Sequence, residues 1–210
     1  MSAEKTAKSG SGKVRQILIP TLALFLIALF ATLFLSLVNN LTKDRIAAQN
    51  AATEAAARKT VFADAADFQE KAITFQGARH TYYEALDKEG TLLGYVFNTS
   101  NKGYGGQVSA TVGVDLNGQV TGVVPGDLGD ETPGLGQNAS KPKFLDQFVG
   151  KHGTIKVSKN APAEDEIQAM TSATITSTAV TNDVNDALAL FAEVAGTGDV
   201  ITSASEGGNA

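Results

Sequence analysis

Val108-Ser109-Ala110-Thr111-Val112-Gly113-Val114 alternates apolar residues with small or polar ones, the period-two signature of a β-strand with one buried face. Similar runs lie on both sides, at residues 80–86, 92–98 and 119–124, and the stretch itself extends over residues 107–115. Asp87-Lys88-Glu89-Gly90 and Asp115-Leu116-Asn117-Gly118 separate them with turn chemistry, an aspartate to accept backbone N–H groups and a glycine for positive φ. Strands joined by connections this short pair as an antiparallel meander, and a further short strand is expected at residues 154–157.

Working outward, Val180, Val184, Ala187, Leu188, Phe191 and Val194 recur at three- and four-residue steps, which predicts a helix that packs on the meander. Upstream, the alanine-rich segment that holds Ile46, Ala47, Ala51, Ala55 and Val61 reads as a helical stalk. Before it, residues 17–38 carry no charge. At about 1.5 Å per residue a helix of that length covers a hydrocarbon core of roughly 30 Å, with Pro20 expected in its first turn. The run is too long for the apolar part of a signal peptide and lacks a small-residue cleavage site after it, so it is read as a retained anchor. The class is therefore α+β, divided into a cytoplasmic N-terminus (1–16), a transmembrane helix (17–38), a helical stalk (39–67), one folded domain (68–195) and a mobile tail (196–210).

Composition removes several functions. With no cysteine among 210 residues there are no disulfides, thiolate metal sites, iron–sulfur ligands or thioether haem links. His80 and His152 lie in different elements without ligand spacing, so no metal is expected. A net charge of −5 without a basic stripe argues against nucleic acid as a partner. Electron chemistry, if present, requires an organic cofactor.

Three short stretches are candidate site elements: Gly103-Tyr104-Gly105-Gly106, Glu131-Thr132-Pro133-Gly134-Leu135-Gly136 and Thr171-Ser172-Ala173-Thr174-Ile175-Thr176-Ser177-Thr178. Each also has a purely structural reading, as a loop entering a strand, a type II turn with Pro133-Gly134 at its centre, and a helix cap. The third carries more. A helix starting near Ser177 directs its unpaired N–H groups at the preceding loop, where a phosphate esterified to Thr174 would meet those donors and the helix dipole. The glycines at 103–106 and 134–136 would permit close approach of a flat ring, with Tyr104 or Leu135 against its face.

In order and character these stretches resemble the FMN-binding domain shared by the G subunit of the Rnf/Rsx ion-translocating electron-transport complex and the C subunit of the sodium-pumping NADH:quinone oxidoreductase. The resemblance runs from the anchor to about Val194. It implies a covalently flavinylated protein, with FMN joined through its phosphate by a flavin transferase to the threonine that ends Thr171-Ser172-Ala173-Thr174. Thr171, Ser172, Ala173, Ile175, Thr176 and Ser177 would then surround the attachment point, and Tyr104, Gly105, Glu131, Thr132, Gly134 and Leu135 would border the flavin. Ser172 stands where that family usually has glycine, Gln168 where an aspartate often precedes the motif, and Gly129 where a histidine often stands.

The function this implies is an electron-relay subunit, inactive alone, of a ferredoxin- and NAD-linked complex that couples electron transfer to ion translocation. Its partners are other membrane and peripheral subunits. The compact length favours the Rnf-type protein over its longer quinone-reductase counterpart. A non-catalytic anchored assembly module is a second reading, and a free-standing flavin reductase ranks below both because no dinucleotide-type glycine fingerprint is present.

Lys5, Lys8, Lys13 and Arg15 precede the span against a lone Glu4, whereas Lys43, Asp44 and Arg45 follow it in near balance. By the positive-inside rule the N-terminus stays in the cytoplasm and residues 39–210 lie outside the cell membrane. Protease added to cells with a permeabilised outer layer is expected to digest a tag at Ala210 and spare one at Met1; the reverse pattern refutes this topology.

Overall fold

The computed structural model describes residues 9–206, with side chains placed from Gln16 to Gly196. The chain divides into two compact units, Met1–Ala52 and Thr53–Ala210. The first consists of most of helix α1 (Ser9–Val61), whose apolar residues over 17–38 are exposed on every side, Ile17, Phe25, Phe30 and Leu37 each by more than 60%. No part of its most apolar window is covered by protein, and a helix apolar all round fits a single-pass membrane anchor. Thr21, Thr32 and Thr42 donate their hydroxyls to carbonyls four residues back, which satisfies them without water. Pro20 lies inside the helix and not in its first turn as expected, because α1 begins at Ser9. The cytoplasmic assignment of residues 1–16 falls mostly outside the residues with described side chains.

In the second unit the meander is a five-stranded antiparallel sheet in sequential order: β1 (Asp67–Phe75), β2 (Ala78–Leu86), β3 (Leu92–Lys102), β4 (Gln107–Asp115) and β5 (Val120–Pro125). The two aspartate turns have one geometry. Asp87 Oδ1 accepts from the N–H groups of Glu89 and Thr91, Asp115 Oδ1 from those of Asn117 and Gln119, and Gly90 and Gly118 take φ of +80° and +77°. Strand β1 was not anticipated, and the stalk ends at Val61 instead of reaching residue 67. The residues of β1, Asp-Phe-Gln-Glu-Lys-Ala-Ile-Thr-Phe, are largely exposed, and the polar run Gln69-Glu70-Lys71 interrupts the alternation. Pairing with β2 through a Gln76-Gly77 turn, with φ of +50° and +80°, makes it a strand.

Helix α3 (Thr174–Glu206) lies against β3 and β4, and Val180, Val184, Ala187 and Leu188 join Phe97, Val108, Val112 and Val114 in the main core. Each of the valine, leucine and phenylalanine side chains is worth about 1.5–3 kcal/mol of burial. The helix begins three residues earlier than the expected start near Ser177, and its backbone continues beyond Val194. The proposed tail at 196–210 lies almost wholly outside the residues with described side chains. Strand β4 departs from the one-sided burial its alternation suggested: Ala110 through Val114 are all buried. The reverse face is covered by Val61, Phe62 and Ala65, which pack with Ala85 and Val96. Gly113 and Gly122 make room, since a Cβ at either would press on Val61. Thr121 donates to the Val61 carbonyl at 2.9 Å, Lys59 donates to that of Ala65, and the Arg58 guanidinium sits 4.1 Å from the Tyr83 ring centroid.

Between β5 and α3 come a 3₁₀ turn (Gly136–Ser140), a single helical turn α2 (Pro142–Leu145) and two short parallel strands, β6 (Lys156–Ser158) and β7 (Glu166–Gln168). Strand β6 is shifted from the expected 154–157, and β7 was not expected. Gln147 accepts from the Gln168 N–H at 2.7 Å, and the Ala169 N–H donates to the Ser158 carbonyl at 2.8 Å, so the segment entering α3 is held from both sides.

Asp183 on α3 is fully buried. Its Oδ1 accepts from Asn101 at 2.8 Å while Oδ2 has no partner among the described residues, and Asn101 donates its second hydrogen to Asp186. Burial, with Asp186 adding to it and the Asn101 bond opposing it, pushes the Asp183 carboxyl up from 3.8 to about 7. The folded protein therefore binds this proton more tightly than the unfolded chain, and stability falls as pH rises from about 4 to about 7. At about 1.4 kcal/mol per tenfold change in proton affinity, the ionised side chain costs on the order of a few kcal/mol. Asp183→Asn is expected to melt roughly 5 °C above wild type at pH 8 and to differ little at pH 4.5, as read by circular dichroism; equal gains at both pH values would refute this account.

Candidate cofactor site

The three motifs converge around one buried carboxylate. Glu131, only 3% exposed, follows a turn closed by its own N–H on the Leu128 carbonyl. Its Oε1 accepts from the N–H groups of Tyr104 and Gly105 at 2.9 and 3.1 Å, and its Oε2 accepts from the Thr176 hydroxyl at 2.6 Å. The β3–β4 loop, the turn after β5 and the first turn of α3 are thereby joined.

This geometry gives the glycines a structural role. A Cβ on Gly103 would strike Glu131, one on Gly105 the Asp130 carbonyl, and one on Gly136 both Glu131 and Thr176. These glycines let the loops approach one another. The type II turn is as anticipated, with the Leu135 N–H on the Thr132 carbonyl at 3.1 Å and Gly134 at φ +76°.

At the start of α3 the hydroxyls divide into used and unused. Thr176 is committed to Glu131. Ser177, fully buried, accepts from the Met170 N–H and donates to the Ala173 carbonyl, which ties the first turn of the helix to the loop before it. Thr178 donates to the Thr174 carbonyl. Thr174, half-buried in the first turn, is the hydroxyl of this turn without a hydrogen bond to a described residue. The backbone N–H groups of Thr174, Ile175 and Thr176 likewise have no acceptor among the described residues.

A cavity of about 480 Å³ opens over this turn. Of the expected site residues, Tyr104, Glu131, Thr132, Leu135, Ser172, Ala173, Thr174, Ile175 and Thr176 line it, joined by Gly136, the glycine that closes the second motif. Tyr104, Ile175 and Leu135 form a partly exposed apolar rim, at 70%, 54% and 37%. Gly105 and Ser177 do not line it. Thr171 and Gly134 line an adjoining cavity of about 460 Å³, which shares Leu135 and Ser172 and adds Lys141, Lys143, Phe144 and Met170. Lys141-Pro142-Lys143, two close cations in an acidic chain, was the missed signal. An apolar-rimmed cavity of ligand size, ending on three free N–H donors and a free hydroxyl, suits a phosphate-bearing planar molecule.

Residues 103–189 match the FMN-binding domain family and residues 6–61 match the RnfG N-terminal region. The chain is 34% identical over 186 residues to the G subunit of the Na(+)-translocating ferredoxin:NAD(+) oxidoreductase complex of Acetobacterium woodii, across 81% of this chain and 89% of that protein. It is 42% identical over 107 residues to the G subunit of the proton-translocating ferredoxin:NAD(+) oxidoreductase complex of Clostridium ljungdahlii, across 50% and 56% of the two chains. The solved structure of the C subunit of the Na(+)-translocating NADH-quinone reductase from Parabacteroides distasonis is 26% identical, with a TM-score of 0.45 over 52% of this chain and 59% of that one.

Ser172 has φ +60°, a left-handed conformation that favours glycine. A glycine there relieves the strain at some cost in unfolded-state entropy, so Ser172→Gly is expected to stabilise the protein by about 0.5–1 kcal/mol, roughly 2 °C in Tm. A lower Tm in a thermal melt would show that the serine is accommodated without strain.

Proposed function

Since the chain belongs to the family of G subunits of ion-translocating ferredoxin:NAD(+) oxidoreductase complexes, we propose that it relays electrons within such a membrane complex and carries FMN as a phosphoester on Thr174. The observation that carries this reading is the first turn of α3, where the uncommitted Thr174 hydroxyl stands with three unpaired N–H groups at one end of an apolar-rimmed cavity. Those N–H groups and the helix dipole would hold the phosphate, and Leu135, Tyr104 and Ile175 would cover the ring and limit water. Bound there, FMN supplies the reversible electron chemistry that the side chains lack.

The other hydroxyls fit the acceptor role less well. Thr176 and Ser177 are buried and bonded, and Thr178 lies outside the cavity. A covalent tether suits a domain outside the cytoplasm, where no flavin pool refills an empty site, because it fixes a high local cofactor concentration. Donor and acceptor are then neighbouring proteins of the complex, and a flavin transferase is needed for maturation. The anchor carries no ionisable group over residues 17–38, so ion translocation belongs to the partners. The match of residues 6–61 to the RnfG N-terminal region sets this reading above the quinone-reductase alternative.

Co-expressed with a flavin transferase, the wild-type protein is expected to retain one FMN-phosphoester mass increment after denaturation, and Thr174→Ala none. Retention by Thr174→Ala with loss in Thr176→Ala or Thr178→Ala would move the attachment point, and no increment in the wild type would favour the assembly-module reading.

A further inference from the structure

We infer that Glu131 sets the reduction potential of the flavin by holding an uncompensated negative charge in the cavity wall, an inference that rests on the FMN reading above. Both carboxylate oxygens accept hydrogen bonds, Oε1 from two backbone N–H groups and Oε2 from the Thr176 hydroxyl at 2.6 Å. No ion pair reaches Glu131 among the described residues. Its three donors are neutral dipoles, so one full charge remains at a site 3% exposed that lines the same cavity as Thr174 and Leu135.

The surroundings do not neutralise it. Lys141 and Lys143 line the adjoining cavity, but both are exposed, where water screens them. Asp130, beside Gly106, adds charge of the same sign. The backbone is shaped around the carboxylate, since a side chain at Gly103 or Gly136 would displace it. A clamp alone would not require an acid. Glutamine has the same reach, its Oε1 can accept both N–H groups and its amide can donate to the Thr176 oxygen. What the acid adds is charge, and a fixed anion in a water-poor wall opposes the arrival of an electron on a neighbouring ring.

The test uses the full-length, FMN-loaded protein as wild type, Glu131→Gln and Thr176→Val, with intact mass, visible circular dichroism and midpoint potential measured on each. All three are expected to carry the FMN mass. Glu131→Gln is expected to keep the wild-type dichroism while its reduction equilibrium shifts toward the reduced form by about tenfold, about 59 mV for one electron. Thr176→Val keeps the charge and removes a bond that disperses it, so its potential is expected to fall. A Glu131→Gln potential at or below wild type overturns the inference, as does a Thr176→Val potential above wild type. Should Glu131→Gln fail to fold, Thr176→Val decides: a fall supports the inference and any other result overturns it. A wild type without the FMN mass defeats the functional reading instead.

Discussion

A carboxylate removed from water with no cation beside it must collect hydrogen-bond donors, and at Glu131 those donors come from segments 27 and 45 residues away in sequence. That demand fixes the relation of the β3–β4 loop, the turn after β5 and the start of α3. The glycines of two motifs follow from it, because a side chain at Gly103 or Gly136 would displace the carboxylate. So does the commitment of Thr176, which leaves Thr174 as the available hydroxyl in its turn. The site is the place where three loops satisfy one buried charge.

The sheet supports this arrangement by being covered on both faces. Helix α3 packs on one side through its valine, alanine and leucine stripe, and Val61, Phe62 and Ala65 fill the other. Ser177 then joins the helix to the loop before it by accepting from Met170 and donating to Ala173, so the first turn of α3 is held by the same packing as its middle. Asp183 lies within that interface and makes the helix–sheet contact sensitive to pH. Two buried acids meet different surroundings: Asp183 has one amide donor, at 2.8 Å, and a carboxylate neighbour, whereas Glu131 has three donors.

Much of this was legible in the chain. The apolar helix follows from a long uncharged run, and a helix apolar all round fits a single-pass membrane anchor. The meander follows from alternation interrupted by two Asp-x-x-Gly turns, whose hydrogen bonds are local and need no tertiary partner. Helix α3 follows from a stripe at three- and four-residue spacing. In each case the deciding interaction lies within a few residues or depends only on the side chain's preference for water or lipid.

Strand β1 could not be read, since its largely exposed residues, with a polar run at Gln69-Glu70-Lys71, become a strand only by pairing with β2. The burial of both faces of β4 depends on Val61, distant in sequence, and the opening of α3 at Thr174 depends on Ser177 bonding backward to Met170. The division of labour among the hydroxyls was hidden for the same reason. Thr174 and Thr176 are alike as residues, and only the folded chain brings Glu131 to one of them and leaves the other free. Sequence determined which groups are present and which local structures they prefer; the tertiary fold decided which groups are already satisfied, because hydrogen bonds between distant segments exist only after the chain has packed.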